Sequence, residues 1–521
     1  MDRRNFLTAA ATAGAAVLAR PALAQQPRVL RFVPEGNLVS PDPVWTTTTV
    51  ARNHGLMIWD TMYGLDASFT PQPQMVAGHE VSDDRLTWRF TLRDGLAFHD
   101  GTPVRAADCV ASLRRYSARR PLGQKLRDLT AVMKALDDKR FEIQLTKPYA
   151  LILATLADNC FVMPEHVAAT DPFQQIADFT GSGPFKFIKD QWVSGSQAIY
   201  LRNDAYQPRP EPPSFLAGGK VANFDRVEWR IIPDPATSMA ALRNNEVDWW
   251  QNAAFDLLPV LRSLPGVTVA VNDKVGAIGM LAFNHLNPPF DNPKLLRAVL
   301  SAVVQRDFME AAVSDPALFH LPCGVFTPGL QMANDAGLEV FAKPDIAAAR
   351  KAVAASGYAG ERVVLMVPSD YPVQTAFAQV AAAMLKDIGI NVQYDSTDWG
   401  TMVARRAGKE PVDKGGWSMF PTTYEGLSVM DPASNSPLRG NGPGGWFGWP
   451  TSPRLEGLRD QWFEAPDLAA QQSISAEMQQ IAMQEVPFIP LGQLFYPTAY
   501  RTALKGIVPA PFPIFWNVQK T

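Results

Sequence analysis

Residues 345–394 alternate between two periods. Apolar residues recur with helical spacing over 345–355 and 375–388, and strand-like apolar runs fill 362–367 and 390–394. A chain with this alternation folds as strands covered by helices. The first half alternates too. Strands are expected at 28–33, 86–92 (LTWRFTL), 141–145, 227–232, 247–250 and 278–284, and helices at 52–63, 105–116, 235–244 and 294–304. A long helix is expected at 468–485 and a short strand at 489–491. The 521 residues are too many for one core, because domains typically hold about 100–200 residues. Two α/β lobes follow, with ligand-binding crevices at their strand ends.

Composition narrows the function. The formal net charge is -3 and no dense Lys/Arg tract is present, which argues against a nucleic-acid partner. Thirteen tryptophans in a chain that is 10% aromatic suit binding surfaces and pockets. The three cysteines, Cys109, Cys160 and Cys323, form no CxxC pair, and a Cys109–Cys160 disulfide is left open. The six histidines are scattered without paired spacing, so neither a metal nor another cofactor is expected.

The N-terminus reads as an address. Arg3 and Arg4 precede Phe6 and Leu7 in the R-R-x-F-L form of a twin-arginine signal, a short Ala-rich apolar stretch follows, and Ala22-Leu23-Ala24 is an A-x-A cleavage site. Residues 1–24 are expected to be removed, leaving a soluble mature chain that starts near Gln25 outside the cytoplasmic membrane, in a bacterial periplasm.

The tetrad Phe98-His99-Asp100-Gly101 joins a strand-like run to a helix-like run. A catalytic His-Asp pair needs a third orienting group and a pocket, and the sequence supplies neither. His99 and Asp100 are therefore expected to be turn and capping residues.

Several stretches resemble the solute-binding protein family 5 of ABC importers, the peptide/nickel/opine group. They are 87–115, Gly181-Ser182-Gly183-Pro184-Phe185, Phe283-Asn284 with Pro289-Phe290-Asp291-Asn292-Pro293, the run LKDIGINV over 385–392, Asp398-Trp399 and Gly416-Trp417. They stand in the family's order along nearly the whole mature chain. The resemblance implies an α/β fold, a two-lobed periplasmic-binding-protein-like clamshell of class II, large type, with an extra domain inserted in lobe one. Lobe one would comprise 27–67, 179–283 and 492–521, the inserted domain 68–178, and lobe two 284–491, with hinges near Asn284 and Leu491.

The resemblance also implies where a ligand sits. The loop Glu35-Gly36-Asn37-Leu38 would reach the cleft from lobe one. Trp399 and Arg406 would line it from lobe two, and an arginine there can take a carboxylate with two hydrogen bonds. Trp417, Phe420, Tyr424 and Trp446 would add aromatic walls, and Asn435 and Arg439 are candidate polar contacts. In peptide-binding members an Asp three residues after the second Trp pairs with the ligand's α-amino group. Here that position is Phe420, and an apolar ring cannot compensate a buried ammonium. Glu425 and Asp431 are the acidic residues that follow it.

The expected function is the periplasmic substrate-binding component of an ABC importer. As a monomer, it would capture a small organic solute, peptide or peptide-like, and deliver it to the transmembrane permease subunits. The Phe420 departure keeps opines, modified amino acids and aromatic compounds as alternatives, beside a periplasmic sensor or chaperone on the same fold. No nucleophile elbow, H-E-x-x-H or metal cluster supports a secreted hydrolase.

Overall fold

The computed structural model describes residues 28–465 and 467–521, so the export signal expected at 1–24 lies outside the described residues. Three sheets organise them. A seven-stranded sheet runs in the order Val267–Ala270, Thr498–Arg501, Trp249–Trp250, Val29–Val33, Arg226–Arg230, Gln197–Arg202, Phe185–Phe187. Val29–Val33 lies at its centre, parallel to both neighbours, with Leu30, Phe32 and Val33 turned into the core. A six-stranded sheet runs Phe319–His320, Phe488–Leu494, Ala277–Phe283, Met419–Glu425, Val363–Pro368, Val392–Thr397. The third sheet is antiparallel, in the order Val76–Val81, Thr87–Leu92, Arg140–Leu145, Thr130–Ala135.

Strand character follows position. Every residue of Ala277–Phe283 and of Val363–Pro368 is buried, as an inner strand covered on both faces requires. Thr87–Leu92, with one face on its helices and one toward solvent, keeps its alternation. Helix starts carry their own signals. Asn292, Asp345 and Asp398 accept backbone N–H bonds at the heads of Pro293–Ser301, Ile346–Ala355 and Trp399–Arg405. Among the described residues no helix is long and apolar enough to cross a membrane.

The lobe boundaries move from the expected positions. Ala277–Phe283, expected in lobe one, pairs with Met419–Glu425 on one side and Phe488–Leu494 on the other, inside the second sheet. The chain therefore crosses between the lobes over 271–276 and 495–497, not at Asn284 and Leu491. A continuous apolar strand can sit inside either sheet, and only its distant partners decide which.

The third sheet and its helices, the inserted domain, dock on the first lobe through arginines of Ala106–Arg119 and its C-cap. Arg115 pairs with Asp42 at 2.7 Å with both side chains buried, and its guanidinium also donates to the carbonyls of Asp171 and Gln174. Arg119 and Arg120 donate to the carbonyls of Trp45 and Pro43. His99 closes the same joint. Its Nδ1 accepts from the Gly181 N–H at 3.1 Å, which leaves the proton on Nε2 to donate to the Gly183 carbonyl at 3.1 Å. Asp100 accepts from the N–H and hydroxyl of Thr102, as a turn residue does. The inserted domain also reaches the second lobe, where Lys125 meets Asp460 at 2.8 Å and Lys147 meets Glu464 at 3.5 Å. Cys109, Cys160 and Cys323 are all free and buried, so the disulfide left open between the first two is not made.

Candidate ligand-binding site

The second lobe presents an aromatic wall. Trp417, Phe420 and Trp449 form a buried cluster with Met366, Met402 and Ala282, and Trp399, Trp446 and Phe447 pack against it half-buried. Phe420 lies at the start of the Met419–Glu425 strand and Trp417 just before it, and their rings meet at 5.1 Å, edge to face. Trp446 reaches the site from the glycine-rich loop and stands 6.0 Å from Phe420 and 5.7 Å from Tyr424. Gly448 makes that approach feasible. Its φ of 105° is left-handed, and any side chain there would collide with the Phe283 carbonyl.

Arg406 is set into this wall. Its guanidinium lies 4.4 Å from the Phe447 ring centre, 5.6 Å from Trp399 and 5.9 Å from Phe420. The residue is 6% exposed, and among the described residues its Nε has no hydrogen-bond partner. Among the described residues no carboxylate pairs with it, and burial pushes its pKa down to about 10. Arg405, one position earlier, is fully used. It pairs with Asp395 at 2.5 Å and donates to the carbonyls of Gly415 and Gly416. The helical step between them turns Arg405 toward the neighbouring strand and leaves Arg406 facing the rings. A buried cation held only by aromatic faces is a ready receptor for an anion.

The first lobe meets this wall at a seam. A side chain on Gly36 would overlap the Tyr371 hydroxyl, and the Tyr371 ring stacks on Trp399 at 4.7 Å and 29°. Beside it, Arg52 of the Thr49–Ile58 helix pairs with Glu425 at the end of Met419–Glu425. Glu35 and Asp273 feel the same two charges. Burial and the Glu425 charge raise the Glu35 pKa to about 7 against the pull of Arg52, and burial raises Asp273 to about 6.

The expected residues divide by environment. Glu35, Gly36, Trp399, Arg406, Phe420, Tyr424 and Trp446 gather along the seam and the wall. Asn37 is turned to its own lobe, donating to Ser194 Oγ at 3.2 Å and accepting from the Gly195 N–H at 2.7 Å. Leu38 is 1% exposed in the lobe-one core, because the loop needs one apolar side chain pointing inward. Trp417 is equally buried and donates Nε1 to the Gly408 carbonyl at 3.1 Å, so it backs the wall from behind. Asn435 is spent on the Val325 carbonyl and the Leu438 N–H, Arg439 on Glu456, and Asp431 on Ser434. Sequence reasoning missed Arg52, Asp273 and Tyr371. Arg52 sits in a short helix buried from Val50 to Ile58 and Tyr371 just before a helix-starting proline, where local sequence carries no trace of a partner in the other lobe. Among the described residues no three His, Cys, Asp or Glu side chains gather as a metal site would need.

Known proteins match this architecture. Residues 70–446 match the sequence profile of the bacterial extracellular solute-binding proteins, family 5 Middle. The chain is 38% identical over its whole length, and over 99% of the relative, to the probable peptide ABC transporter periplasmic-binding protein y4tO of Sinorhizobium fredii. It is 23% identical to the glutathione-binding protein GsiB of Pectobacterium atrosepticum, covering 98% of this chain and 97% of that one. In three dimensions it resembles AgaA of A. tumefaciens R10 in complex with agropinic acid, with a TM-score of 0.79, 21% identity and coverage of 95% and 99%. It also resembles a dipeptide binding protein of Pseudoalteromonas sp. SM9913 in complex with Met-Leu, with a TM-score of 0.78, 19% identity and coverage of 95% and 100%. With a two-lobed α/β architecture, an inserted third sheet and a profile match across most of its length, the chain belongs to the bacterial extracellular solute-binding proteins of family 5.

Proposed function

We propose that this protein is the periplasmic solute-capturing component of an ABC importer, and that its ligand is a small peptide-like molecule carrying a carboxylate. The observation that carries the ligand class is Arg406, a buried guanidinium with aromatic rings on its faces and no acidic partner among the described residues. A carboxylate entering the cleft supplies that partner, and Trp399, Trp446 and Tyr424 supply stacking area for the body of the ligand. The lobes close because contacts made only in the closed form, such as Arg52 with Glu425, add to those the ligand makes with each lobe. The permease then reads the closed face. The name of the Sinorhizobium relative and the ligands of the two structural neighbours support a peptide or an opine. Export through the twin-arginine pathway and a monomeric mature chain complete the reading. Its function is capture and delivery, not catalysis.

The test is a thermal-shift screen of the mature protein against di- to pentapeptides, glutathione, opines and aromatic acids. A specific ligand raises the melting temperature with dose, following RT ln(1 + [L]/Kd). A dose-dependent shift with a carboxylate-bearing ligand, lost in Arg406→Met, is the expected result. A ligand whose affinity is indifferent to Arg406 would overturn the carboxylate assignment.

A further inference from the structure

The seam between the lobes holds more negative charge than its partner can neutralise. Glu35, Asp273 and Glu425 share a single guanidinium, that of Arg52. Arg52 is fixed from its own lobe, stacked 3.9 Å over Phe512 and bonded to Asn53 Oδ1 at 2.8 Å. Glu35 is held as firmly. Its N–H donates to Gln251 Oε1 at 3.1 Å, and its Oε2 accepts from Asn252 Nδ2 at 3.3 Å. Its Oε1, by contrast, is shielded from solvent and has no hydrogen-bond donor among the described residues. A buried carboxylate oxygen without a donor is destabilising. The groups facing Glu35 from the packed elements are Arg52, Glu425, Tyr371, Tyr496 and the Asn252 amide, with Asp273 close behind. Among them Arg52 is the sole cation, and it belongs to Glu425.

The seam and Arg406 stand at the two ends of one row of rings. Next to Glu35, Gly36 touches Tyr371; Tyr371 stacks on Trp399; Trp399 packs under Arg406. Tyr424 lies alongside, close enough to feel the charges of Arg120 and Arg406 and that of Glu425. A ligand lying along this row meets the Arg406 guanidinium, which has no carboxylate partner among the described residues, at one end and an excess of carboxylates at the other.

We propose that Glu35, backed by Glu425 and Asp273, receives a positively charged group of the ligand at the lobe seam, and so takes over the amine recognition that Phe420 cannot provide. The proposal rests on the carboxylate-binding role of Arg406 and adds a direction to it. The ligand is a zwitterion, ammonium toward the seam and carboxylate toward the aromatic wall. In the closed form without a ligand a proton on Glu35 relieves the excess charge, since its pKa is raised there to about 7. An incoming ammonium replaces that proton.

The experiment is calorimetry at pH 7 with the dipeptide Met-Leu and with N-acetyl-Met-Leu, on the wild type and on Glu35→Gln. The free amine is expected to bind at least tenfold more tightly than the acetylated form, and Glu35→Gln to remove most of that preference. Binding of Met-Leu to the wild type is expected to release a fraction of a proton, seen as different enthalpies in phosphate and Tris buffers, and the release disappears in Glu35→Gln. N-acetyl-Met-Leu binding as tightly as Met-Leu overturns this inference and leaves the Arg406 reading standing. If neither form binds at millimolar concentration, the peptide-like reading falls and this inference with it.

Discussion

Arg52 of the first lobe and Glu425 of the second form an ion pair across the cleft, with both side chains largely withdrawn from solvent. Each is fixed by its own lobe, Arg52 by stacking on Phe512 and Glu425 by ending a strand of the six-stranded sheet. The pair therefore exists only when the lobes are together. It lies beside Glu35 and Asp273, so the contact that holds the lobes closed is part of the charge balance a ligand enters.

Removing that cation should open the protein. In Arg52→Met, Glu35, Asp273 and Glu425 face one another with no counter-charge, and loss of one member of a buried pair typically costs about 3–5 kcal/mol. Opening relieves most of this, so the fold survives and the cost falls on closure. The expected result is ligand affinity reduced by about 10–100-fold, with a larger radius of gyration in small-angle scattering. A variant that binds and scatters like the wild type would show that the pair contributes nothing to closure.

Gly36 meets Tyr371 with no room for a side chain, and its substitution acts on closure by shape alone. In Gly36→Val the added carbons strike the Tyr371 hydroxyl before the lobes are fully together, while each lobe keeps its own core. Affinity should fall at least tenfold with the melting temperature of the unliganded protein nearly unchanged. Gly36→Val with Tyr371→Phe, which removes the oxygen that is struck, should recover part of the loss. Absence of any recovery would place the clash elsewhere.

Local sequence carried the elements better than it carried their partners. The alternation of 87–92, the length of the 468–485 helix and the turn at His99-Asp100 depend on neighbours a few residues away, and all were readable. The lobe assignment of Ala277–Phe283 was not, because its seven apolar residues suit an inner strand of either sheet, and the strands that claim it come from far along the chain. The same limit shaped the site. Adjacent arginines 405 and 406 look alike in sequence, and their roles separate only because Asp395 on the neighbouring strand takes the first. Leu38 and Trp417 were legible as large apolar groups near the cleft, but whether each faces a ligand or a core depends on the packing behind it.

The joint between the inserted domain and the first lobe should be a stability determinant. Asp42 and Arg115 are buried together at 2.7 Å, and Asp42 also accepts the N–H groups of Val44, Trp45 and Ile176. Asp42→Ala takes from the guanidinium its carboxylate partner and leaves all three N–H groups without their acceptor. The melting temperature should fall by about 5–10 °C, corresponding to roughly 3–5 kcal/mol. Asp42→Ala with Arg115→Met removes both charges and should lose less than the single variant. A double variant less stable than Asp42→Ala would mean that Arg115 acts mainly through the carbonyls it bonds.

Acid should weaken the first lobe through His54. This residue is fully buried among Trp59, Phe179, Phe187 and Tyr200, with Nδ1 at 2.9 Å from the Tyr200 hydroxyl and the Pro41 carbonyl beside its ring. Burial lowers its pKa from 6.5 to about 3. Between those values the unfolded chain binds a proton that the native lobe refuses, so stability falls as the pH falls. The contribution is complete above pH 6.5 and is lost progressively toward pH 3. Integrated from pH 7 to pH 5, it amounts to about 2 kcal/mol. Other groups titrate in the same range, so the informative quantity is a difference. Urea unfolding of the wild type and of His54→Gln, each at pH 7 and pH 5, isolates it. The amide that replaces the imidazole keeps a hydrogen bond to Tyr200 and has no proton to bind, so the variant should lose about 2 kcal/mol less than the wild type on acidification. Equal losses in the two proteins would mean that His54 already accepts its proton in the folded lobe.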